Sequence, residues 1–282
     1  MSIPEILVQK HMSLPKLGIG TWEMGGRHNP DKSEDQKFIH ALRFALDQGI
    51  RHIDTAEMYG NGHTEELVAK AIQGFDREKL LITSKVSGDH LAYQDVIEAA
   101  HNSLKRLQTD YIDLYLLHWP NPEVPVEETM KAINELLEQG KIRNFGLSNF
   151  SAAQTEEILR WTDEPIITNQ LEYNLFTRNN GRITEDVEAA IIPFCLSKGI
   201  SITAWRPLMK GAFNPMQQPL INEIAARREA TPMQIALAWL LYKPLMLAIP
   251  KMTSEKHILE NIAATNIILD KQEMRLLDGL AS

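Results

Sequence analysis

Apolar residues along this chain fall into short, nearly unbroken runs that alternate with longer stretches at helical spacing. The first runs, Ile6–Val8 and Ser13–Lys16, alternate weakly and predict a small hairpin. Eight further runs follow: Leu17–Trp22, His52–Ala56, Leu80–Lys85, Ile112–His118, Asn144–Leu147, Ile166–Leu171, Ser201–Trp205 and Leu247–Ile249. Runs so short and so continuously apolar read as strands covered on both faces. Between them the period lengthens. Ile39, Leu42 and Leu46 share one helical face, as do Leu67, Val68, Ala71 and Ile72, then Val96, Ala100, Leu104 and Leu107, then Met130, Ile133 and Leu137. Ser33 with Gln36 and Ser151 with Gln154 have the spacing of capping boxes, and Glu65 and Glu66 open a helix. Thr231 precedes Pro232 as an N-cap precedes a proline at the first helical position. Thr184–Lys198 is helical at least in part, with Pro193 marking a start or a kink. Leu220–Arg228, Ser254–Ala263 and Lys271–Leu280 are further helices.

Strand followed by helix at roughly 30 residues per unit is the size of a parallel βαβ repeat. Eight such units predict an α/β fold, a closed (β/α)8 TIM barrel with an N-terminal β-hairpin and extra C-terminal helices outside the repeat. No linker-like stretch divides residues 1–282, so one domain is expected. The alternative is an open doubly wound sheet. Such sheets advertise a G-x-G-x-x-G turn, and Gly18-Ile19-Gly20 lacks the third glycine.

Composition narrows the partners. With 282 residues, 44% of them hydrophobic, the chain can bury a large core. Its net charge of −8 argues against a nucleic-acid partner, and an anionic ligand would need a local basic site. The lone cysteine, Cys195, cannot form an intrachain disulfide and reads as buried filler in a reducing compartment. No run approaches the roughly 18 apolar residues of a membrane span, and no signal segment opens the chain. A soluble, cytoplasmic monomer is expected.

The chemistry lies at strand ends. Asp54 closes the second barrel strand, Lys85 the third and His118 the fourth, while Tyr59 follows in the loop after Asp54. In a (β/α)8 barrel the carboxyl ends of adjacent strands meet at one mouth. Singly, each has a bland reading: Asp54 as a loop cap, Tyr59 as rim packing, Lys85 as a solvated end, His118 as a satisfied core histidine. Together they make a tuned phenol. A tyrosine with a pKa of about 10 is a poor proton donor near neutrality, and an adjacent ammonium lowers that value. Asp54 would hold the ammonium, and His118 would hydrogen-bond the oxygen that Tyr59 protonates. These groups supply no hydride, so reducing a carbonyl would need a cofactor.

The stretches HIDTAEMYG, ITSKV, DLYLLHWP, KIRNFGLSNF, ITNQLEYN, AWRPL and IPK, in this order, resemble the aldo-keto reductase superfamily from about Leu14 to the C-terminal end. The resemblance implies a (β/α)8 barrel closed at its bottom by the hairpin, and NAD(P)H-dependent reduction of aldehydes or ketones to alcohols by hydride transfer. It implies Tyr59 as general acid, Lys85 and Asp54 as its tuning pair, and His118 as the group that orients the carbonyl. It places Gly20 and Thr21 near the nicotinamide ribose, Ser148, Asn149 and Gln170 on the carboxamide, and Trp205 against the nicotinamide ring. Arg206, Leu208, Lys210 and Gly211 would cross the pyrophosphate. Lys251 would meet the adenosine 2′-phosphate, and Glu260 and Asn261 the adenine. Trp22 and Trp119 would line the substrate pocket, with Met24 and Met58 as weaker candidates.

Two positions depart from the family pattern: Met252 replaces a serine or threonine phosphate ligand, and His257 replaces an arginine. A histidine cannot bind phosphate as a bidentate fork. Lys251 still makes NADPH the expected preferred cofactor, and the two departures imply weaker selectivity with some use of NADH. The competing functions are a non-catalytic nicotinamide-binding subunit and a Schiff-base aldolase built on Lys85. A metal-dependent hydrolase is weaker, since the nine histidines show no H-x-H or H-E-x-x-H spacing, and no metal is expected. The role of Glu57, charged and two residues from Tyr59, stays open between a loop partner and a solvated side chain.

Overall fold

The structure is a computed structural model that describes residues 3–9, 12–179, 181–209 and 219–281. A hairpin of β1 (Glu5–Leu7) and β2 (Ser13–Pro15) precedes the barrel strands β3 (Ile19–Gly20), β4 (His52–Asp54), β5 (Leu81–Val86), β6 (Leu114–Leu117), β7 (Phe145–Ser148), β8 (Ile166–Glu172), β9 (Ser201–Trp205) and β10 (Met246–Ala248). These eight are parallel and hydrogen-bonded in chain order. The ring closes where the segment leading into β3 meets β10: Gly18 N–H donates to the Ala248 carbonyl, and Ala248 N–H to the Lys16 carbonyl, both at 2.9 Å. Gly20 is held to glycine by this closure, since a Cβ there would sit 2.5 Å from the Ile249 carbonyl oxygen.

The helices are α1 (Asp35–Asp47), α2 (His63–Ile72), α3 (Tyr93–Leu107), α4 (Val126–Glu138), α5 (Ala152–Ile158), α6 (Ile192–Ser197), α7 (Pro219–Arg227), α8 (Pro232–Tyr242), α9 (Glu255–Ala264) and α10 (Lys271–Asp278). They cover the outside of the barrel as the apolar faces predict. The reading of Thr184–Lys198 resolves into one π turn, Val187–Ile191, capped by Asp186 and running into α6, with Pro193 in its first turn. The Ser151–Gln154 capping box forms, and the expected Thr231 N-cap forms with Gln234 completing a second box. The Ser33–Gln36 box does not. α1 begins at Asp35 with no side-chain cap, and the Ser33 hydroxyl donates to Asp31 at 2.6 Å. The N-cap position falls on Glu34, so Ser33 lies one residue before the cap and its oxygen caps nothing.

Hairpin residues Ile6, Val8 and Leu14 pack with Leu81, Leu114, Leu116, Ile167 and Leu247 in one apolar cluster that seals the bottom of the barrel. The opposite end, where the strands finish, is left for chemistry.

Candidate active site

β4 ends at Asp54, β5 carries Lys85 one residue before its end, and His118 follows β6 directly. Because these strands are neighbours, their ends converge. Beyond β4 the chain folds back over the mouth through Gly60, Asn61 and Gly62, which take left-handed φ values of 55°, 52° and 87°. That reversal turns Tyr59 inward. Lys85 Nζ donates to Asp54 Oδ1 at 2.6 Å, to the Thr55 carbonyl at 2.8 Å and to the Tyr59 hydroxyl at 3.2 Å. An ammonium has three protons, and this one has three acceptors. The Lys85 and Asp54 side chains are 0% and 2% exposed. The other Asp54 oxygen accepts from Gln170 Nε2 at 2.7 Å, across the barrel from β8. The His118 ring stands edge-on to Tyr59 with centroids 5.7 Å apart, and its buried Nδ1 has no protein partner.

Electrostatics refine the expectation for the phenol. Burial raises the Tyr59 pKa above 10 more than the Lys85 charge lowers it. The phenol is therefore protonated, and the lysine moderates a rise rather than producing a fall. Burial also works against the Lys85 ammonium, but Asp54 and Tyr59 together more than offset it and leave its pKa above the usual lysine value. A Schiff base needs a neutral amine, so this geometry disfavours an aldolase. His118 is pushed well below the ordinary histidine range, by burial first and by the Lys85 charge second. Its imidazole is neutral and can donate one hydrogen bond.

The carboxyl ends of β7, β8 and β9 carry uncharged groups. Ser148 Oγ donates to the Gln170 carbonyl at 3.1 Å, and Asn149 Nδ2 donates to the His118 carbonyl at 3.1 Å and to Ser148 Oγ at 2.9 Å. Asn149 Oδ1 accepts from the Trp205 indole at 3.1 Å. Trp205 is half-buried, with the Arg206 and Arg182 guanidinium carbons 5.0 and 5.6 Å from its ring centre. Arg206 also pairs with Glu172 at 3.2 Å. Thr21 Oγ1 donates to the Asp54 carbonyl at 2.8 Å, which draws the loop after β3 onto the same mouth beside Gly20. Trp22 meets the Tyr59 ring edge-on at 4.8 Å, and Trp119, the residue after His118, is half-buried.

Lys251 reaches the rim beyond β10 and pairs with Glu23 at 3.3 Å, and Glu23 also meets Arg27 at 3.3 Å. A cleft of about 490 Å³ lies beside this rim, lined in part by Glu23, Arg27, His28 and Phe38, and not over Tyr59. On α9, His257 is exposed, Glu260 half-buried and Asn261 buried. Leu208 is half-buried, while Lys210 and Gly211 lie outside the described residues. Met24 and Met252 are fully buried in the core, and Met58 is half-buried.

These groups suit a nicotinamide dinucleotide. Amide and hydroxyl groups converge beside an accessible indole, a neutral imidazole has an orphaned nitrogen, and an exposed cation stands at the rim. Three carboxylates were not legible as site groups. Glu57 binds Ser87 and His90. Fully buried Glu65, which reads as a helix-opening acid, holds Arg106 at 2.6 Å and accepts from Ser84. Glu23 holds Lys251. In each case the partner lies at least 19 residues away, beyond any local signal.

Similarity to known proteins agrees with this geometry. The model of the Aldo/keto reductase family matches residues 16–282. Methylglyoxal reductase YeaE of Escherichia coli (strain K12) is 35% identical over 95% of this chain and 91% of its own. The crystal structure of a thermostable aldo-keto reductase, Tm1743, in complex with the inhibitor epalrestat superposes with a TM-score of 0.92 at 45% identity, covering 98% of each chain. An aldo-keto reductase from Klebsiella pneumoniae in complex with NADPH superposes with a TM-score of 0.89 at 36% identity, covering 99% of this chain and 95% of the other.

Proposed function

This chain belongs to the aldo/keto reductase family, and on that premise we propose that Asp54, Tyr59, Lys85 and His118 are its catalytic groups and that small 2-oxoaldehydes such as methylglyoxal are its substrates. The chain is an oxidoreductase that reduces carbonyl compounds with NADP(H) as cofactor. The observation that carries the assignment of residues is the buried chain Asp54–Lys85–Tyr59, with its 2.6 and 3.2 Å contacts.

The bound nicotinamide supplies the hydride in reduction and accepts it in the reverse direction. The protein handles the proton. Tyr59, held protonated by burial, donates its hydrogen to the substrate oxygen as negative charge develops there. Lys85 keeps its ammonium against the phenol oxygen and stabilises the phenolate left behind, while Asp54 fixes the ammonium. Neutral His118 donates a hydrogen bond to the same substrate oxygen and orients the carbonyl. Ser148, Asn149 and Gln170 would hold the carboxamide, and Trp205 would pack against the nicotinamide. Lys251 meets the 2′-phosphate and gives NADPH its advantage over NADH. His257 in place of an arginine limits that advantage to less than about 10⁴ in kcat/KM, some 5.5 kcal/mol.

The test is NADPH consumption with methylglyoxal by the parent and by Tyr59→Phe. The variant should bind NADP+ as the parent does and lose turnover by about 10² or more. Parental turnover in Tyr59→Phe, or no reduction of any reactive aldehyde by the parent, overturns the reading.

A further inference from the structure

Glu57 has no part in the scheme above, yet it links the segments that carry its two central groups. It precedes Tyr59 by two residues, and its Oε1 accepts a hydrogen bond at 2.7 Å from the backbone N–H of Ser87, two residues beyond Lys85. His90 Nδ1 meets the same oxygen at 2.9 Å. The Glu57 side chain is 10% exposed and that of His90 53%. Glu57 N–H in turn donates to the Lys85 carbonyl at 3.3 Å. A carboxylate this buried costs free energy to desolvate unless its acceptors are used, and an ordinary surface loop has no need of one.

The connection extends past Ser87. Ser87 opens the single turn Gly88–His90. Asn121 Nδ2 donates to the Gly88 carbonyl at 2.9 Å, and a Cβ on Gly88 would lie 3.1 Å from the Trp119 carbonyl oxygen. The loops after β4, β5 and β6 are thus joined in series, and Tyr59, Lys85 and His118 sit at their bases. The Tyr59 loop runs through left-handed residues outside the barrel ladder; backbone bonds such as Tyr59 N–H to the Ala56 carbonyl at 3.1 Å and Gly60 N–H to the Arg27 carbonyl at 2.8 Å hold it, and the Glu57 carboxylate adds the side-chain link to the loop after β5.

We propose that Glu57 is a positioning residue for proton transfer, its carboxylate oxygen on the Ser87 amide setting the separation between the Tyr59 hydroxyl and the Lys85 ammonium. The proposal rests on Tyr59 being the acid. Exposure ranks the two partners: the amide is the inner contact, and His90 is an outer support. The need is for an acceptor oxygen, which glutamine retains and alanine does not.

Ser87 offers an independent way to break the link. Its φ of −61° and ψ of 148° are values a proline adopts, and Val86 before it is a strand residue, which tolerates a following proline. Ser87→Pro therefore suits the backbone while deleting the N–H.

Parent, Glu57→Ala, Glu57→Gln, Ser87→Pro and His90→Ala are compared for kcat and KM with methylglyoxal at saturating NADPH, and for NADP+ Kd by tryptophan fluorescence. Misplacing a reacting group by about 1 Å can cost 10² in rate. Glu57→Ala and Ser87→Pro should lose about tenfold or more in kcat, with NADP+ Kd within about twofold of the parent. Glu57→Gln and His90→Ala should stay within about threefold. The Tyr59 ring carbon signal in 13C-tyrosine-labelled protein, assigned by its absence in Tyr59→Phe, reads the same separation without turnover. With Lys85 drawn away, the phenol should titrate at higher pH in Glu57→Ala and Ser87→Pro, and as in the parent in Glu57→Gln. If Glu57→Ala does not fold, Ser87→Pro against Glu57→Gln decides. Unchanged kcat and titration in Ser87→Pro, or a Glu57→Gln as impaired as the alanine variant, overturn the proposal. A parent that reduces no carbonyl but shows these titrations would sink the functional reading alone.

Discussion

Lys85→Met should be among the most destabilising single changes at the mouth, and the reason lies in what it leaves behind. The ammonium and Asp54 are 2.6 Å apart, with 0% and 2% of their side chains exposed. Removing one partner of a buried ion pair strands the other charge, at a cost of about 3–5 kcal/mol. Here the stranded carboxylate keeps one donor, Gln170 Nε2 at 2.7 Å, which places the loss toward the lower end. Unfolding entropy of about 2.1 cal/mol/K per residue gives roughly 0.6 kcal/mol/K for a chain of this length, so Tm should fall by about 5–8 °C. The double variant Asp54→Asn/Lys85→Met removes both charges, and an asparagine carbonyl can still accept from Gln170. It should regain at least half of the lost stability, a coupling that replacement of a whole buried pair commonly shows. Calorimetry on the parent, both single variants and the double variant measures this. A Lys85→Met loss under about 1 kcal/mol, or a double variant less stable than Lys85→Met, would refute the stranded-charge argument.

Glu23→Gln should tighten NADP+ binding by up to about fivefold and leave NAD+ unaffected, because the Lys251–Glu23 pair is 40% and 24% exposed and such pairs are worth about 0–1 kcal/mol. Isothermal titration at low salt reads it, and the difference should fade in 0.5 M salt, where the Debye length is roughly 4 Å. Reduction should show no inflection near pH 6.5 in kcat, since His118 titrates well below that value in the folded protein. Stability should fall with acid. His52 is held neutral by burial, with its pKa pushed down to about 4 from 6.5. Between those values the unfolded chain takes up a proton that the folded one refuses, so stability drops by about 1.4 kcal/mol per pH unit from this group. Urea denaturation of the parent and His52→Asn between pH 7 and about 4.5 should show the smaller slope in the variant.

Local signals and distant ones divide what could be read from the chain. Ser201–Trp205 forms over the run that predicts it, and two capping boxes form because all their atoms lie within four residues. Ser33 does not follow the same rule, because the helix starts one residue later than its spacing with Gln36 requires. Asp54, Lys85 and His118 are legible because each follows an apolar run that must end at the mouth of a parallel barrel. The partners of Glu57 and Glu65 are not, since Ser87 lies 30 residues from the first and Arg106 41 from the second. The phenol shows the same division. Lys85 beside Tyr59 follows from strand order, whereas the stronger pull of desolvation is a property of the packed fold.

Strand order also explains why one mouth can hold proton chemistry and a nicotinamide side by side. β4, β5 and β6 and the loops after them deliver Asp54, Tyr59, Lys85 and His118 to one arc, while β7, β8 and β9 deliver hydroxyl, amide and indole groups to the next. Gln170 joins the two arcs, because β8 stands four strands from β4 in a ring of eight and side chains from alternate strands share a layer. Its Nε2 is committed to Asp54, which leaves Oε1 for a ligand amide. On the proposed assignment, the arc that would bind the carboxamide and the arc that would donate the proton are mechanically one unit. Gln170→Glu, which places a second carboxylate against Asp54, should damage dinucleotide affinity and turnover together, whereas Tyr59→Phe should damage turnover alone. A Gln170→Glu enzyme with parental NADP+ affinity and parental kcat would show that the two arcs work independently.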